Sequence, residues 1–300
     1  MTFSAVIATS ASPGRRQRLL EIVQHICQFE LLKEVIVVWQ SIDPPSPEFD
    51  HPKLKIFLCR ARAVSLARNL GAYQASGKWV WFLDDDTIPA SDAYLETARN
   101  ALTGGKSGSE LDFLTSNVCG EGVGQVCRRI SADIRIDETT IEGNFWEPGL
   151  IVARDVFLKV PYDICLGPGC LHGSSEGSDL GIRLLRSGHR GMRLHDLELD
   201  HPEIEKTDDY RNKLFLYALG NGLVAIRHGG RGGFFRTAGK AGAKMAILAL
   251  TLRFAASLDQ FIRLCGLFVG PCLRPAPPLN LEPRLLNSDD ILQQVSPRLR

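Results

Sequence analysis

Paired cysteines are missing from this chain. Its eight cysteines (Cys27, Cys59, Cys119, Cys127, Cys165, Cys170, Cys265 and Cys272) are scattered, mostly beside apolar neighbours, and no CxxC pair occurs. That excludes zinc-type ligand spacing and points to reduced core thiols in a cytosolic compartment. A surplus of charge is absent too: the formal net charge is +1 and the sequence pI about 7.6, so no global field draws the chain to nucleic acid. The start, Met1-Thr2-Phe3-Ser4-Ala5-Val6, has no basic segment followed by a long apolar core, so it reads as a first strand and not as a signal peptide. No apolar run reaches the roughly 20 residues that span a bilayer; Met245 to Leu252 is cut off by Lys244 and Arg253. Acidic residues are missing from Tyr210 to Leu258, where eight Lys and Arg occur. What is present, 44% apolar and 23% charged residues, describes a globular protein with a sizeable core.

Strand and helix signals alternate through the first hundred residues. Phe3 to Ala8 is an apolar, β-prone run, and Thr9 to Gly14 is a turn. Arg15 to Phe29 places Leu19, Ile22, Val23 and Ile26 on one helical face. Strands follow at Val35 to Trp39 and Leu54 to Leu58, separated by a Pro- and Asp-rich loop from Ser41 to Pro52. Ala61 to Ala75 is a helix ended by Ser76-Gly77, and Trp79 to Leu83 is a fourth strand. Such alternation, with strands apolar on both faces, predicts a helix-covered parallel sheet whose ligands gather at the carboxyl ends of the strands. Beyond the glycine-rich link at Gly104 to Ser109, strands are expected at Leu111 to Val118, Pro148 to Ala153 and Arg193 to Leu199, and helices at Ser178 to Ser187 and Asp208 to His228. The Gly- and Pro-rich loop from Pro161 to Ser175 is long enough to be functional.

The fourth strand runs straight into Asp84-Asp85-Asp86. Three adjacent carboxylates repel one another by about 1 to 4 kcal/mol per pair at about 4 Å. A divalent cation would offset that cost, because hard cations choose carboxylate oxygens. A solvated acidic turn is the other reading.

Ala67-Arg68-Asn69-Leu70-Gly71, Ala75-Ser76-Gly77-Lys78 and Phe82-Leu83-Asp84-Asp85-Asp86 together resemble the signature of family 2 inverting glycosyltransferases with the GT-A fold. Ala5 to Thr9 is similar to the family's first strand. Glu176-Gly177-Ser178-Asp179-Leu180, with Arg183-Leu184 and Gly188-His189-Arg190, resembles its downstream acidic motif. The resemblance implies an α/β, Rossmann-like mixed sheet flanked by helices, with a C-terminal helical extension. Residues 1–205 form the expected catalytic domain, with a nucleotide-binding half (1–103) and an acceptor-side half (104–205). Residues 206–275 are expected to be a basic amphipathic helical extension, and 276–300 a Pro-rich polar tail. The implied activity moves a sugar from a nucleotide-sugar donor to a hydroxyl of a glycan or lipid-linked acceptor, in surface polysaccharide or glycolipid assembly. The implied cofactor is Mn²⁺ or Mg²⁺, which stabilises the departing diphosphate as a Lewis acid.

Carried over residue by residue, the resemblance assigns Asp84, Asp85 and Asp86 to the metal and the nucleotide, with Asp86 as the main metal ligand. Thr9 matches the position at which the first strand approaches the nucleobase. Gln40 stands where the family commonly has an acidic residue. Arg68 is a partner for a phosphate or an aspartate, or else a surface helix cation. The family usually offers Glu-Asp as the catalytic motif, with the aspartate as base, and here Gly177 replaces that aspartate. Glu176, in a loop before a helix, is then the preferred base. Asp179 is the second candidate, or only a helix N-terminal charge. His201 is a candidate third metal ligand or a structural hydrogen-bonder. Trp146 and Gly169 fall on the family's acceptor side, although a Trp there can equally be buried. The basic extension either lies on an anionic membrane leaflet or packs as a helical hairpin on the main domain. Two rival functions remain in view: a non-catalytic GT-A-like scaffold that binds a nucleotide or sugar, which Gly177 favours, and a haloacid-dehalogenase-type Mg²⁺-dependent phosphatase, since Asp84-Asp85-Asp86-Thr87-Ile88 is similar to that nucleophile motif.

Overall fold

The computed structural model describes residues 1–41, 45, 48–59, 61–104, 110–120, 129–202 and 209–278. Residues 105–109 of the glycine-rich link, and the expected polar tail from 279 onward, lie outside the described residues.

A nine-stranded sheet organises the described residues. Its first half is parallel: β1 (Phe3–Thr9) lies between β2 (Leu32–Trp39) and β4 (Trp79–Asp84), and β3 (Leu54–Leu58) pairs with β2 at the edge. The strands are apolar on both faces because helices cover both, and Val6, Ile7, Val37, Val38 and Phe82 are fully buried. Helix α1 (Pro13–Ile26) opens on a proline suited to its first turn and buries Leu19, Ile22, Val23 and Ile26. Helix α2 (Val64–Gln74) packs on β1 so closely that a Cβ on Gly71 would stand 2.4 Å from Val6 Cγ1. The register aligns Ala8 with Asp84 and Thr9 with Trp39, so β1, β2 and β4 end together.

In the second half the direction reverses. After β5 (Ile88–Pro89) and α3 (Tyr94–Leu102), β6 (Phe113–Cys119) joins the sheet through β8 (Ile151–Ala153), which is antiparallel to both β4 and β6. The sheet is therefore mixed, as the family resemblance implies, and the parallel part that the alternation in the first hundred residues predicts is its first half. Helix α4 (Arg154–Lys159) and helix α5 (Glu176–Arg186) lead to β9 (Gly191–Asp200), which is parallel to β6 and antiparallel to β5 and to β7 (Ile134–Ile136).

Two further helices make the extension, α6 (Tyr210–Leu250) and α7 (Phe254–Val269). Helix α6 is two helices joined at a break at Gly230 (φ 58°, ψ −162°), so its first part ends close to His228, as expected, and a second part follows. A straight helix would hold Ala218 and Ala241 about 35 Å apart. Instead they share one apolar cluster with Leu267 of α7, so the break folds α6 back on itself. The first part of α6 docks on the loop that precedes α5: Leu223 and Val224 pack on Leu166, and Gly220 lies so close to the Ser174 carbonyl that a Cβ would meet it at 2.3 Å. No helix among the described residues is long and apolar enough to cross a membrane. The seven described cysteines are all free thiols.

Candidate active site

The coincident ends of β1 and β4 bring Thr9 against the acidic turn. Thr9 Oγ1 donates to Asp85 Oδ2 at 2.7 Å, and Thr87 Oγ1 closes the turn on the Asp84 backbone at 3.2 Å. Asp85 and Asp86 are only 4% and 7% exposed, which corrects the reading of a solvated acidic turn. Arg15, from the first turn of α1, reaches across to bond Asp85 and lies 3.0 Å from Asp86 Oδ2. Asp86 Oδ1 is buried without a hydrogen-bond partner, and His201 Nε2, at the end of β9, faces it at 3.8 Å. The other ring nitrogen of His201 is tied to the Pro202 carbonyl at 2.6 Å. Burial raises the Asp86 carboxyl above its ordinary value, Arg15 opposes that, and Asp84 adds to it.

Arg68 is buried on α2, so it is not a surface helix cation. Its Nη2 donates to Asp84 Oδ1 at 2.6 Å, its Nη1 lies 3.6 Å from Glu176 Oε1, and its guanidinium stacks over the Tyr162 ring at 5.5 Å. Burial acts against the Arg68 charge, but Asp84, Tyr162, Glu176 and Glu147 together raise its pKa. This guanidinium therefore bridges the acidic turn to the head of α5.

Glu176 begins α5 just after Ser175, whose φ of 70° turns the chain inward. Gly167 makes room for it. A Cβ there would stand 2.9 Å from Glu176 Cδ, and φ is +97°. Burial and the neighbouring Glu147 carboxylate push the Glu176 carboxyl up to about 8, against the pull of Arg68. Asp179 faces elsewhere. It is fully buried, and its oxygens are taken by Arg183 Nε (2.7 Å), Arg227 Nη1 (2.9 Å) and His228 Nε2 (2.8 Å). Burial opposes its charge, yet those three partners hold its carboxyl well below the usual range. It joins α5 to α6.

Three other expected residues are placed by backbone needs or packing. Gln40 is buried, its N–H on the Thr9 carbonyl at 2.8 Å and its Oε1 accepting from Ala63 N at 3.1 Å. Trp146 packs against Val118 while partly exposed. Gly169 has φ +93°, and a Cβ on it would meet the Arg62 carbonyl at 1.7 Å. Sequence reasoning does not single out Arg15 or Glu147. Arg15 had a usable signal, being a cation in the first helical turn after a strand that ends at the site; Glu147 had none. A concavity of about 620 Å³ lined by Ala90, Arg129, His195 and Glu198, among others, includes none of these carboxylates.

Chemically, the arrangement is an acidic turn with one unsatisfied oxygen, two guanidinium groups, and a carboxyl near neutral pKa across from them. Among the described residues, no three His, Cys, Asp or Glu side chains converge as a preformed cation cage. The Asp86 and His201 pair fits a cation that takes its other ligands from a bound diphosphate.

Residues 14–111 match the model of glycosyl transferase family 2. Among solved structures, the chain is similar to the mannosyltransferase PcManGT from Pyrobaculum calidifontis, in complex with GDP-Man and Mn²⁺. The identity is 14%, the match covers 90% of this chain and 86% of that one, and the TM-score is 0.60. It is also similar to S. aureus TarS 1-349 in complex with UDP-GlcNAc, at 15% identity, 90% coverage of each chain and a TM-score of 0.51. No curated protein gives a match. At such identities the likeness establishes the fold, which is GT-A, and the phosphatase reading has no place in it.

Proposed function

We propose that this chain, whose residues 14–111 match the model of glycosyl transferase family 2 and which has the GT-A fold, is a metal-dependent inverting glycosyltransferase, moving a sugar from a nucleotide-sugar donor to a hydroxyl acceptor. The observation that carries the reading is the buried Asp86 oxygen that no hydrogen bond satisfies, facing His201 at the joined strand ends, with Arg68 and Glu176 also at the site. Asp86 and His201 would hold Mn²⁺ or Mg²⁺, which when bound stabilises negative charge on the departing diphosphate. Thr9 and Asp85 fix the turn that receives the nucleotide, and Gln40 fixes the neighbouring strand end. Arg15, half exposed at the mouth, is the cation free to turn from the carboxylates to a phosphate. Arg68 holds Asp84 in place. Glu176 takes the proton of the acceptor hydroxyl, a task for which a carboxyl near neutrality is well matched. Trp146 and the loop through Gly169 border the acceptor side.

The acceptor we favour is a lipid-linked or surface glycan, met at the inner face of the plasma membrane. Ile247, Leu250, Leu252 and Phe254 stand exposed around the turn from α6 to α7, with Lys244 and Arg253 beside them. Apolar side chains within a basic surface suit an anionic leaflet. The non-catalytic scaffold reading rests on Gly177 alone.

Calorimetry with Mn²⁺ and a panel of nucleoside diphosphates tests the central claim. Asp86→Ala is expected to remove metal-dependent nucleotide binding and turnover while leaving the fold intact. Unchanged affinity in that variant would remove Asp86 from the site.

A further inference from the structure

Position 177 has no side chain, and the space is not empty. A Cβ built on Gly177 would lie 1.9 Å from Glu147 Oε1 and 2.2 Å from Glu147 Cδ, so the Glu147 carboxylate fills the volume that a residue at 177 would use. Burial raises the Glu147 carboxyl above its ordinary value, Arg68 and the adjacent Gly177 backbone N–H pull it down, and Asp84 adds to the rise. Glu147 also stands within electrostatic reach of Glu176. Glutamate at a segment that precedes β8 thus enters the head of α5 from a distant part of the chain. We propose that Glu147 is a second catalytic carboxylate, which joins Glu176 in taking the proton of the acceptor hydroxyl and stands in for the side chain that position 177 lacks.

The inference rests on the glycosyl-transfer reading. In the step, the acceptor O–H bond breaks and its proton passes to an oxygen of the Glu147–Glu176 pair. The freed electron pair on the acceptor oxygen forms the new bond to the anomeric carbon. The bond from that carbon to the diphosphate oxygen breaks, and its electrons leave with the nucleoside diphosphate. Two carboxyls that share one site repel when both are ionised, which favours one proton held between them and leaves one carboxylate ready to accept.

Glu147→Gln keeps the size and the acceptor for the Gly177 N–H but cannot take a proton. It is expected to lower kcat by about 10²- to 10⁴-fold, with the Kd of the nucleotide-sugar donor unchanged and the melting temperature kept. Moving the carboxylate back, in the double variant Glu147→Gly with Gly177→Asp, is expected to recover at least tenfold in kcat over Glu147→Gly alone. A kcat close to wild type in Glu147→Gln would overturn the proposal. A parallel loss of donor affinity and melting temperature would too, since that marks a purely structural anion. So would a folded double variant with no recovery. If the wild-type protein transfers to no hydroxyl, water included, the glycosyl-transfer reading falls and this one with it; a failure of Glu147 alone leaves wild-type turnover intact, which tells the two apart.

Discussion

Replacing Glu176 with glutamine should trade catalysis for stability. The Glu176 carboxyl is held up at about 8 by burial and by Glu147, against an ordinary value of 4.5. Between those pH values the folded protein keeps a proton that the unfolded chain has released. Folding then binds a proton, and stability falls as pH rises through the window; the contribution is whole only below about 4.5. Each pH unit across that window corresponds to about 1.36 kcal/mol, so the whole window amounts to about 4 to 5 kcal/mol at most, shared by the carboxyl pair. Against a total stability of about 5 to 15 kcal/mol, that is easily measured. Glu176→Gln keeps shape and removes the ionisation, and Glu147 is then left beside Arg68 with no competing anion at 176. In urea titrations from pH 4 to pH 9, the variant should match wild type at the acid end. At pH 8.5 it should be more stable by about 2 to 5 kcal/mol, while transfer is lost and donor binding spared. Parallel stability curves for the two proteins would refute the reasoning, because no proton would then be taken up at this site on folding.

Asp179→Asn should do the reverse. It takes the charge from a buried group facing Arg183, Arg227 and His228, and breaking such a network costs about 3 to 5 kcal/mol, read as a lower melting temperature with donor affinity kept. Because the Asp179 carboxyl is depressed in the fold, that contribution is present above its ordinary value of 3.8 and is lost as pH falls; equal acid sensitivity in wild type and variant would contradict it. Gly167→Ala places a Cβ against Glu176 at a positive φ, with an expected cost of about 1 to 3 kcal/mol and slower transfer in steady-state assays. The paired change Leu250→Ser with Phe254→Ser should abolish co-sedimentation with anionic vesicles but leave donor binding untouched; undiminished vesicle binding would free the α6–α7 turn from that role.

The order β1, α1, β2, β3, α2, β4 is legible in the residues themselves. Val35 to Trp39 has no alternation to solvent, Leu19, Ile22, Val23 and Ile26 repeat at helical spacing, and the strand Trp79 to Leu83 hands its end to three aspartates. These signals are local, since backbone hydrogen bonding and hydrophobic period are set over a few residues. The same period is present at Tyr94, Leu95, Ala98, Ala101 and Leu102, all buried in α3, although the sequence reading does not extend to it; α4, six residues long, is too short to show one. Placing Asp84 to Asp86 at the ligand edge needs only the rule that binding sites lie at carboxyl ends of parallel strands. Partner identity is another matter. Arg68 reads as a partner for a phosphate or an aspartate, or else a surface cation, until the fold buries it between Asp84 and Glu176; Asp179 reads as a second candidate base or a helix N-terminal charge until Arg227 and His228 arrive from α6 to claim it. The reversed direction of β8 and the meeting of Glu147 with Gly177 likewise depend on segments far apart in the chain. Sequence alone determined which stretches become strands and helices and where negative charge accumulates; the tertiary structure decided which of those charges are buried, paired or left unsatisfied, because desolvation and ion pairing depend on neighbours that only folding brings near.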